Sequence, residues 1–462
     1  MQRTMRQLYY RSRRRLFDLS FQPSICYLEA SVYLLRSLLA SPFRRSRSVC
    51  ALLKAHNALF RVSTIDASSS RLNKSIDEAI CRDFAPGGRA HGCLGACCQV
   101  SPRDLRLLGE PLGIVLKEPH RCEGRVVEKG AILLKYNSRF RFLRFTVHME
   151  ALLRDYYLVL EPSWSGYADF DILYFTRFPE HPIVVMATES RDYRFLKRLG
   201  TNLIPIDVGA SNWVNPAVFR PLEGATKEFD AVMVARWVLP KRHHVLFRAV
   251  RALQDRSIRV ALAAHPWNSR RKEIELLLEA YGIRSQVTLF EGLTPQGVND
   301  VLNRSKVNLL LSRQEGSNRA LFEGFFAGVP GLVIRETVGI CRSYINRKTG
   351  RFCEERDLGR QLLDFRRNYR AYAPRAWSLE HIAPEITTRR LDEVLRKQAI
   401  RQGESWTESL VAKCNCPGLR YYPDERLTRD LPSMEQIVER YARTAEIRGL
   451  VEKARLASTP SP

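Results

Sequence analysis

The stretch SRQEGSNRALFEGFFAGVPGLVI, from Ser312 to Ile334, decides the fold that we predict for this chain. An apolar strand ends at its start, and a polar loop then leads into a helix that Ser317 or Asn318 can cap. Gly328 can end that helix in a left-handed conformation, and a proline two residues later prevents its continuation. The N–H groups at the start of such a helix point to the carboxyl edge of a sheet, which predicts a phosphate site there.

Apolar runs alternate with helical patterns on both sides of this stretch. Between them, helices are predicted to start near Arg242, Arg270, Pro295 and Asn318. The strands of this second half are predicted at 231–235, 258–264, 287–292, 307–312 and 331–334, and those of the first half at 131–137, 157–163, 182–190 and 202–209. This alternation is typical of α/β domains with parallel, doubly wound sheets.

The length of 462 residues agrees with two or three domains. We expect a basic extension with an amphipathic helix and a linker at 1–110, and α/β domains at 111–225 and 226–395. A helical tail is expected at 396–462.

Two carboxylates and two cations accompany the predicted phosphate site. Glu315 lies in the loop and Glu323 lies about two turns inside the helix. Carboxylates repel phosphate but accept hydrogen bonds from sugar hydroxyls, so a nucleotide that bears a sugar would satisfy both kinds of group. Arg236 follows a strand and Lys241 stands five residues later, where both can face one anion and stabilise a departing diphosphate.

These residues resemble the donor-site motifs of GT-B glycosyltransferases of the family-4-like, glycosyl-group-1 type. The resemblance rests on Glu315 and Glu323 with seven residues between them, on the G-x-P turn at 328–330, and on Arg236 and Lys241 in the same order. The segment PIDVGASNWVNPAVFRP, 205–221, is a weaker match to the interdomain segment of that family.

The resemblance implies a GT-B architecture, in which two Rossmann-like domains face each other across a crevice. It implies that Glu315 approaches the donor sugar, that Glu323 accepts from the ribose, and that the backbone of Gly316, Ser317 and Asn318 meets the diphosphate. Arg236 and Lys241 would stabilise that diphosphate as it leaves. Two glycines usual in the family are replaced by Ala235 and Arg242, so Arg242 is a rival for the role of Lys241.

The implied reaction moves a hexose-type sugar from a nucleoside diphosphate sugar to a glycan or lipid-linked acceptor. We expect retention of anomeric configuration and a place in cell-surface polysaccharide biosynthesis. No cofactor and no metal are expected, because protein cations would replace the divalent ion and the chain has no Asp-x-Asp motif at a strand end.

Residues of the first half are candidates for the acceptor side. Trp164 and Tyr167 follow a buried strand and are aromatic side chains suited to stacking on a sugar ring. Packing between domains explains such aromatic residues equally well. His148 lies on a predicted helix and is a candidate for a hydrogen bond to a substrate, although most histidines on helices are structural.

The net charge of +25 favours an acidic partner. Residues 1–60 hold eleven Lys and Arg against two acids, and a helical stripe runs through them at Ile25, Leu28, Val32, Leu35 and Leu39. A basic anchor on an anionic membrane surface explains this pattern. A helix packed on its own protein, an organelle transit peptide and a start codon assigned too far upstream are the alternatives.

The cysteines and the remaining function classes complete the predictions. Cys93, Cys97 and Cys98, with His91 nearby, form a possible zinc group, but no second spaced pair accompanies them, so free thiols in a reducing cytoplasm are expected. The protein would then be cytoplasmic or peripheral on the inner face of the membrane. A basic nucleic-acid-binding protein and an inactive GT-B-like scaffold are the alternatives, and no nucleic-acid partner is expected because no binding module is recognisable.

Overall fold

The computed structural model describes residues 2–41, 44–62, 71–85, 87–90, 113–265, 270–415, 418–423, 431–445 and 447–449. The chain divides into two compact units. We call the first the six-stranded unit (1–28, 59–68 and 210–383) and the second the five-stranded unit (29–58, 69–209 and 384–462). Both units contain a largely parallel sheet with helices, so the predicted α/β class is confirmed.

The six-stranded unit contains a fully parallel sheet, as the continuous apolar runs of its sequence predict. Its strands are β8 (Ala231–Val234), β9 (Val260–Ala264), β10 (Val287–Glu291), β11 (Asn308–Leu310), β12 (Gly331–Ile334) and β13 (Gly350–Cys353). Their spatial order is β10-β9-β8-β11-β12-β13, so the chain winds outwards from β8 in one direction and from β11 in the other. The carboxyl ends of β8 and β11 therefore form the switch point at which ligands bind in doubly wound folds.

Four helices cross between these strands, namely His243–Arg251, Arg271–Ala280, Pro295–Asn303 and Arg319–Phe326, and two more, Leu358–Asn368 and Pro374–His381, follow β13. Side chains cap the N-termini of two of the crossing helices. The side chain of Thr294 caps the third of these helices, which has proline in its first turn. Gly328 has φ +80° and ends the helix Arg319–Phe326, and the Val329 N–H donates to the Gly324 carbonyl, as in a Schellman motif.

The five-stranded unit places one antiparallel strand beside four parallel ones. The order is β1 (Gly113–Lys117), β4 (Gly130–Lys135), β5 (Tyr156–Glu161), β6 (Ile183–Met186) and β7 (Leu203–Ile206), and β1 is the antiparallel edge. In the sequence, a hairpin of β2 (His120–Cys122) and β3 (Arg125–Glu128) connects β1 to β4. Strand β14 (Lys413–Asn415) pairs with β15 (Leu419–Tyr421).

From residue 113 onwards, the helices described in this unit are Asn137–Thr146, Met149–Asp155, Phe170–Leu173, Ser190–Leu199, Pro384–Arg401 and Met434–Arg440. The helix predicted around His148 is interrupted there: the helix ending at Thr146 is followed by extended backbone at Val147 and His148. Val147 forms a β-bridge with Ala442, and this pairing stops the first helix from continuing.

The first ninety residues are more helical than the sequence predicts. They contain Gln2–Leu19, Pro23–Ala40, Arg45–Phe60 and Arg71–Phe84. The last of these lies in the predicted linker, and its Ile76, Ile80 and Phe84 are fully buried. The zinc candidates His91, Cys93, Cys97 and Cys98 lie outside the described residues.

The first two helices expose apolar side chains. Of the sixteen large hydrophobic residues that are exposed in the described part of the chain, eleven lie between Met5 and Leu39. They include the whole predicted stripe of Ile25, Leu28, Val32, Leu35 and Leu39, although the same helix buries Cys26, Ala30 and Ser37 on another face. Within the described ranges, no helix has both the length and the hydropathy needed to cross a membrane.

Candidate functional site

The candidate site lies at the switch point of the six-stranded sheet. Arg236 stands two residues beyond β8, and the loop from Ser312 to Asn318 begins two residues beyond β11. Because β8 and β11 are parallel neighbours, their carboxyl ends bring the predicted cations and carboxylates to one edge.

Lys241 and Glu315 meet in an ion pair at this edge. The Lys241 Nζ donates to Glu315 Oε1 at 2.6 Å, across 74 positions of sequence. The two side chains are 18% and 7% exposed, so the pair is largely shielded from water. A shielded lysine beside a carboxylate is a cation that an incoming anion can recruit.

The loop that bears Glu315 is anchored by hydrogen bonds on both sides. The Glu315 N–H donates to the Val338 carbonyl at 2.9 Å, and the Val338 N–H donates to the Arg313 carbonyl. The hydroxyl of Thr337 donates to the Ser312 carbonyl at 2.7 Å. These bonds fix the backbone that carries Glu315 before any ligand arrives, which is what a preorganised site requires.

The start of the next helix has the predicted cap. Asn318 Oδ1 accepts from the Leu321 N–H at 2.8 Å, with extended backbone at Asn318 itself. Ser317 Oγ donates to Ser211 Oγ at 2.9 Å and accepts from the Ser211 N–H at 3.0 Å. Gly316 and Ser317 are partly exposed, whereas Asn318 is buried.

Glu323 lies further inside the same helix. Its side chain is buried and accepts from Arg319 Nε at 2.9 Å. Burial raises the pKa of Glu323 above its usual range, and Arg319 opposes that rise. A carboxylate held in this way is a suitable acceptor for a pair of ligand hydroxyls.

The two cations predicted beside β8 occupy different environments. Arg236 is exposed, whereas its neighbour Trp237 is buried and donates from Nε1 to Glu291 Oε1 at 3.1 Å. Trp237 thus anchors the loop and leaves Arg236 at the surface. Arg242, the rival of Lys241, is only 1% exposed and its guanidinium is bonded within the protein, so the structure favours Lys241 as the cation for a ligand.

Sequence reasoning missed the partners that hold these groups. Ser211 lies more than a hundred positions from Ser317, and Asp18 and Glu355 bind Arg242 from two distant elements. The one available signal was Arg242 itself, which stands where related motifs have glycine.

The acceptor-side candidates lie in the five-stranded unit. Trp164 and Tyr167 follow the carboxyl end of β5, and Trp164 is 49% exposed. Tyr167 is buried and donates from its hydroxyl to the Met186 carbonyl at 2.6 Å, so its ring is not available for stacking on a sugar. Of the two aromatic residues, only Trp164 presents its ring to solvent.

A buried carboxylate holds the loop that carries Trp164. Asp192 accepts from the Gly166 N–H at 3.0 Å and from the Tyr167 N–H at 2.9 Å. Burial raises the pKa of Asp192 to about 8, although these two N–H groups favour the ionised form.

His148 lines a small pocket of the five-stranded unit together with Tyr174, Arg177 and Phe178. It is exposed, and it precedes the helix Met149–Asp155 that leads directly into the start of β5. Trp164 is not among the residues that line this pocket, so the structure does not bring these two candidates together there. In the described parts of the chain, no group of three or more His, Cys, Asp or Glu side chains is placed to hold a metal ion.

A known protein family matches the part of the chain that forms this edge of the six-stranded unit. Residues 215–366 match the family described as Glycosyl transferases group 1, which confirms the resemblance predicted from the two glutamates. No curated protein matches the chain.

Three solved structures illustrate the structural likeness. TarM has 16% identity and a TM-score of 0.45, and the match covers 60% of this chain and 55% of TarM. Sucrose-phosphate synthase from Thermosynechococcus elongatus has 15% identity and a TM-score of 0.47, covering 59% and 74% of the two chains. Anabaena Alr3699/HepE in complex with UDP has 11% identity and a TM-score of 0.46, covering 57% and 78%.

Proposed function

We infer, since residues 215–366 form a domain of the glycosyl transferases group 1, that this chain is a glycosyltransferase that uses a nucleoside diphosphate sugar. The observation that carries the proposal is the Lys241–Glu315 pair at 2.6 Å, placed at the switch point beside the capped helix start. The site thus offers a cation for phosphate and carboxylates for sugar hydroxyls within one edge of one sheet.

We assign each group to one part of the donor. The diphosphate lies against the backbone of Gly316, Ser317 and Asn318, with Arg236 and Lys241 as counter-charges. Glu323 accepts from the ribose hydroxyls. When the diphosphate recruits Lys241, Glu315 is released from its ion pair and accepts from the hexose.

The transfer step needs little beyond this charge arrangement. The bond between the anomeric carbon and the diphosphate oxygen breaks, and the electron pair goes to that oxygen, where Arg236 and Lys241 stabilise it. The acceptor hydroxyl bonds to the anomeric carbon on the face that the diphosphate leaves, and its proton passes to the departing phosphate. We therefore propose retention of configuration, with protein cations in the role of a divalent ion.

The acceptor is proposed to be a glycan or a lipid-linked saccharide. Trp164 supports this assignment, because an exposed indole at the carboxyl edge of a sheet is a suitable surface for a sugar ring. A role in cell-surface polysaccharide biosynthesis would supply such acceptors.

We further propose that the protein works on the cytoplasmic face of an anionic membrane. The exposed stripe of the helix Pro23–Ala40 supports this, because its side chains are 42–67% exposed and so present apolar surface to solvent. Exposed arginines flank it, among them Arg15, Arg36, Arg44 and Arg45. Apolar side chains with flanking arginines match the two components of an anionic bilayer surface.

A nucleotide screen tests the donor assignment. We expect one of UDP, GDP, ADP and dTDP to raise the thermal unfolding temperature, since a ligand at about 100 times its Kd stabilises by about 2.7 kcal/mol. The corresponding monophosphate is the matched control and should stabilise less, because it lacks the phosphate that Lys241 binds. NMR of the product from the matching sugar nucleotide then reports the anomeric configuration, and repeating the reaction with EDTA reports any metal requirement.

The same screen separates the alternatives. Stabilisation by a short oligonucleotide, with no response to any nucleoside diphosphate, would favour the nucleic-acid-binding alternative. Nucleotide binding without hydrolysis or transfer of any sugar would favour the inactive scaffold.

A further inference from the structure

Arg242 has a backbone conformation that is unusual for its residue type. Its φ is 54° and its ψ is 41°, in the left-handed region that glycine adopts without strain. A non-glycine residue there costs on the order of 1 kcal/mol or more, and such residues cluster at functional sites. Arg242 directly follows Lys241, so the strained residue and the proposed catalytic cation share one turn.

The Arg242 guanidinium joins three separate elements. Its Nε donates to Asp18 Oδ1 at 2.8 Å, Nη1 donates to the Leu311 carbonyl at 3.2 Å, and Nη2 donates to Glu355 Oε2 at 2.6 Å. Asp18 belongs to the first helix, and its other oxygen lies 2.7 Å from His244 Nε2. Leu311 follows β11 and leads into the loop of Glu315.

Both loops that carry donor-site groups are therefore tied to one buried side chain. Burial would raise the pKa of Asp18, but the hydrogen bonds from His244 and Arg242 outweigh it and lower that pKa, so Asp18 is ionised near neutral pH. The first helix thus contributes a full negative charge. The ion pair of this charge with Arg242 fixes the guanidinium of the residue that directly follows Lys241.

We propose that Arg242 is a positioning residue, braced by Asp18 of the first helix, that orients Lys241 towards the diphosphate of the donor. The proposal rests on the proposed function and extends it. It gives the basic N-terminal helix a role in the transfer step, through an ion pair that lies entirely within the six-stranded unit.

The decisive variant is Arg242→Gly. Glycine keeps the left-handed backbone without strain, so the variant removes the guanidinium and leaves the turn intact. With the glucose conjugate of the nucleotide selected by the screen, we expect kcat to fall about tenfold or more, because small displacements of catalytic groups have large rate effects. Asp18→Asn should reproduce a large part of this loss.

Repeating the substitution in a Lys241→Ala protein distinguishes the positioning of Lys241 from a general destabilisation of the protein. In Lys241→Ala, where there is no lysine left to position, Arg242→Gly should lower the remaining rate by less than about twofold. An equal fall in both backgrounds would overturn the proposal. Arg14→Gln is the matched control: Arg14 also ties the first helix to the unit, through Glu273 at 2.8 Å, but it has no bond to the turn of Lys241, so kcat should be retained.

One measurement, NMR of methylated lysine, needs no sugar nucleotide. After reductive methylation with ¹³C-formaldehyde, the Lys241 signal, identified by its loss in Lys241→Arg, should shift in Arg242→Gly and Asp18→Asn but not in Arg14→Gln. An unchanged signal in the first two would overturn the proposal even if the protein transfers sugar. Shifted signals in a protein that binds no nucleotide would uphold the positioning and reject the proposed function.

Discussion

At the scale of single residues, Lys241 and Arg236 are the groups on which the proposed reaction depends most. We predict that Lys241→Ala and Arg236→Ala each lower kcat about a hundredfold or more, as the loss of a preorganised charge does. Steady-state kinetics with the selected sugar nucleotide measure this. Arg251→Ala, an exposed arginine at the far end of the helix that follows Lys241, should keep the rate of the native protein. Native turnover in Lys241→Ala would remove that residue from the mechanism.

The two glutamates have the same chemistry but different assigned partners. Glu323→Ala should weaken binding of the free nucleoside diphosphate by about 1–3 kcal/mol, because it removes an acceptor for ribose hydroxyls. Glu315→Ala should not weaken nucleotide binding, because it frees Lys241 from its ion pair. It should lower kcat, because the partner of Glu315 is the hexose and the contact strengthens in the transition state.

Calorimetric titration followed by kinetics distinguishes the two glutamates, with the exposed Glu380→Ala as a control expected to match the native protein. The reverse pattern, with nucleotide affinity lost in Glu315→Ala and kept in Glu323→Ala, would contradict both assignments.

Local spacing in the sequence predicts the residues of the sugar-nucleotide site, but not the residues whose hydrogen bonds keep them in place. Glu315 and Glu323 are separated by a fixed number of helical and loop positions, and this makes their motif readable from the sequence. Asp18 lies 224 positions from Arg242, and no local pattern relates them. Such contacts depend on how distant elements pack, which one sequence does not reveal.

At the scale of elements, the helix Arg319–Phe326 packs closely on β11 through Gly324. A Cβ at this position would lie 2.6 Å from the side-chain nitrogen Nδ2 of Asn308, which itself donates to the Ala320 carbonyl. We predict that Gly324→Ala destabilises the protein by about 1–3 kcal/mol and weakens nucleotide binding, because it displaces the helix that carries Glu323.

Gly297→Ala is the matched control for Gly324→Ala. Gly297 lies in the helix Pro295–Asn303, and its added Cβ would meet Leu293 at 3.3 Å. Stability should change by less than about 1 kcal/mol, because alanine favours the helix and offsets this tighter contact. Urea unfolding of both variants measures the difference, and equal stabilities would show that the Gly324 contact is not restrictive.

The loop after β5 should give the fold a dependence on pH. The pKa of Asp192 is raised from its usual 3.8 to about 8 by burial, so the folded state keeps a proton that the unfolded state releases between these values. The free energy of unfolding contributed by Asp192 therefore falls as pH rises from about 4 to about 8. Asp192→Asn removes this contribution.

Urea unfolding at pH 5 and pH 8 tests the role of Asp192. The native protein should lose more stability than Asp192→Asn between the two pH values, since contributions from other groups cancel in the comparison. An identical change in both proteins would show that Asp192 is ionised throughout this range.

Element prediction succeeded for most of the uniformly apolar strands, although it missed β1, and it failed for strands that carry polar residues. The buried strands β4, β5 and β8 read as continuous apolar runs and were predicted within two residues. Strand β13, with the sequence GRFC, and the exposed hairpin of β2 and β3 carry polar residues, so their pairing is visible only in the sheet. The break at His148 depends on a strand-like contact with residues almost three hundred positions away.

At the scale of the whole molecule, the charge of +25 and the exposed helical stripe predict binding to anionic vesicles. Leu35→Glu with Leu39→Glu should abolish sedimentation with vesicles that contain phosphatidylglycerol, and should leave stability unchanged because both side chains are more than half exposed. Binding of the native protein should weaken as salt rises. Substitution at these positions is preferable to truncation, because Arg14 and Asp18 of the first helix bind inside the six-stranded unit.

Ile400→Glu with Leu379→Glu is the matched control for the vesicle experiment. It introduces the same two charges at exposed apolar positions outside the first sixty residues, and it should bind vesicles as the native protein does. Equal loss of binding in both double variants, or equal binding to vesicles of neutral lipid, would contradict docking through the stripe.

The attachment of the first helix to residues far along the chain has a consequence for biosynthesis. Arg14 is separated from its partner Glu273 by 259 positions. At a translation rate of about 5–20 residues per second, the ribosome takes about 13–50 s to reach that partner after Arg14 has been made. During this interval the arginine-rich helix has no native surface to dock on, and its exposed leucines face water as well. A nascent chain with this order of synthesis should depend on chaperones, or on early contact with the lipid surface, until the six-stranded sheet is complete.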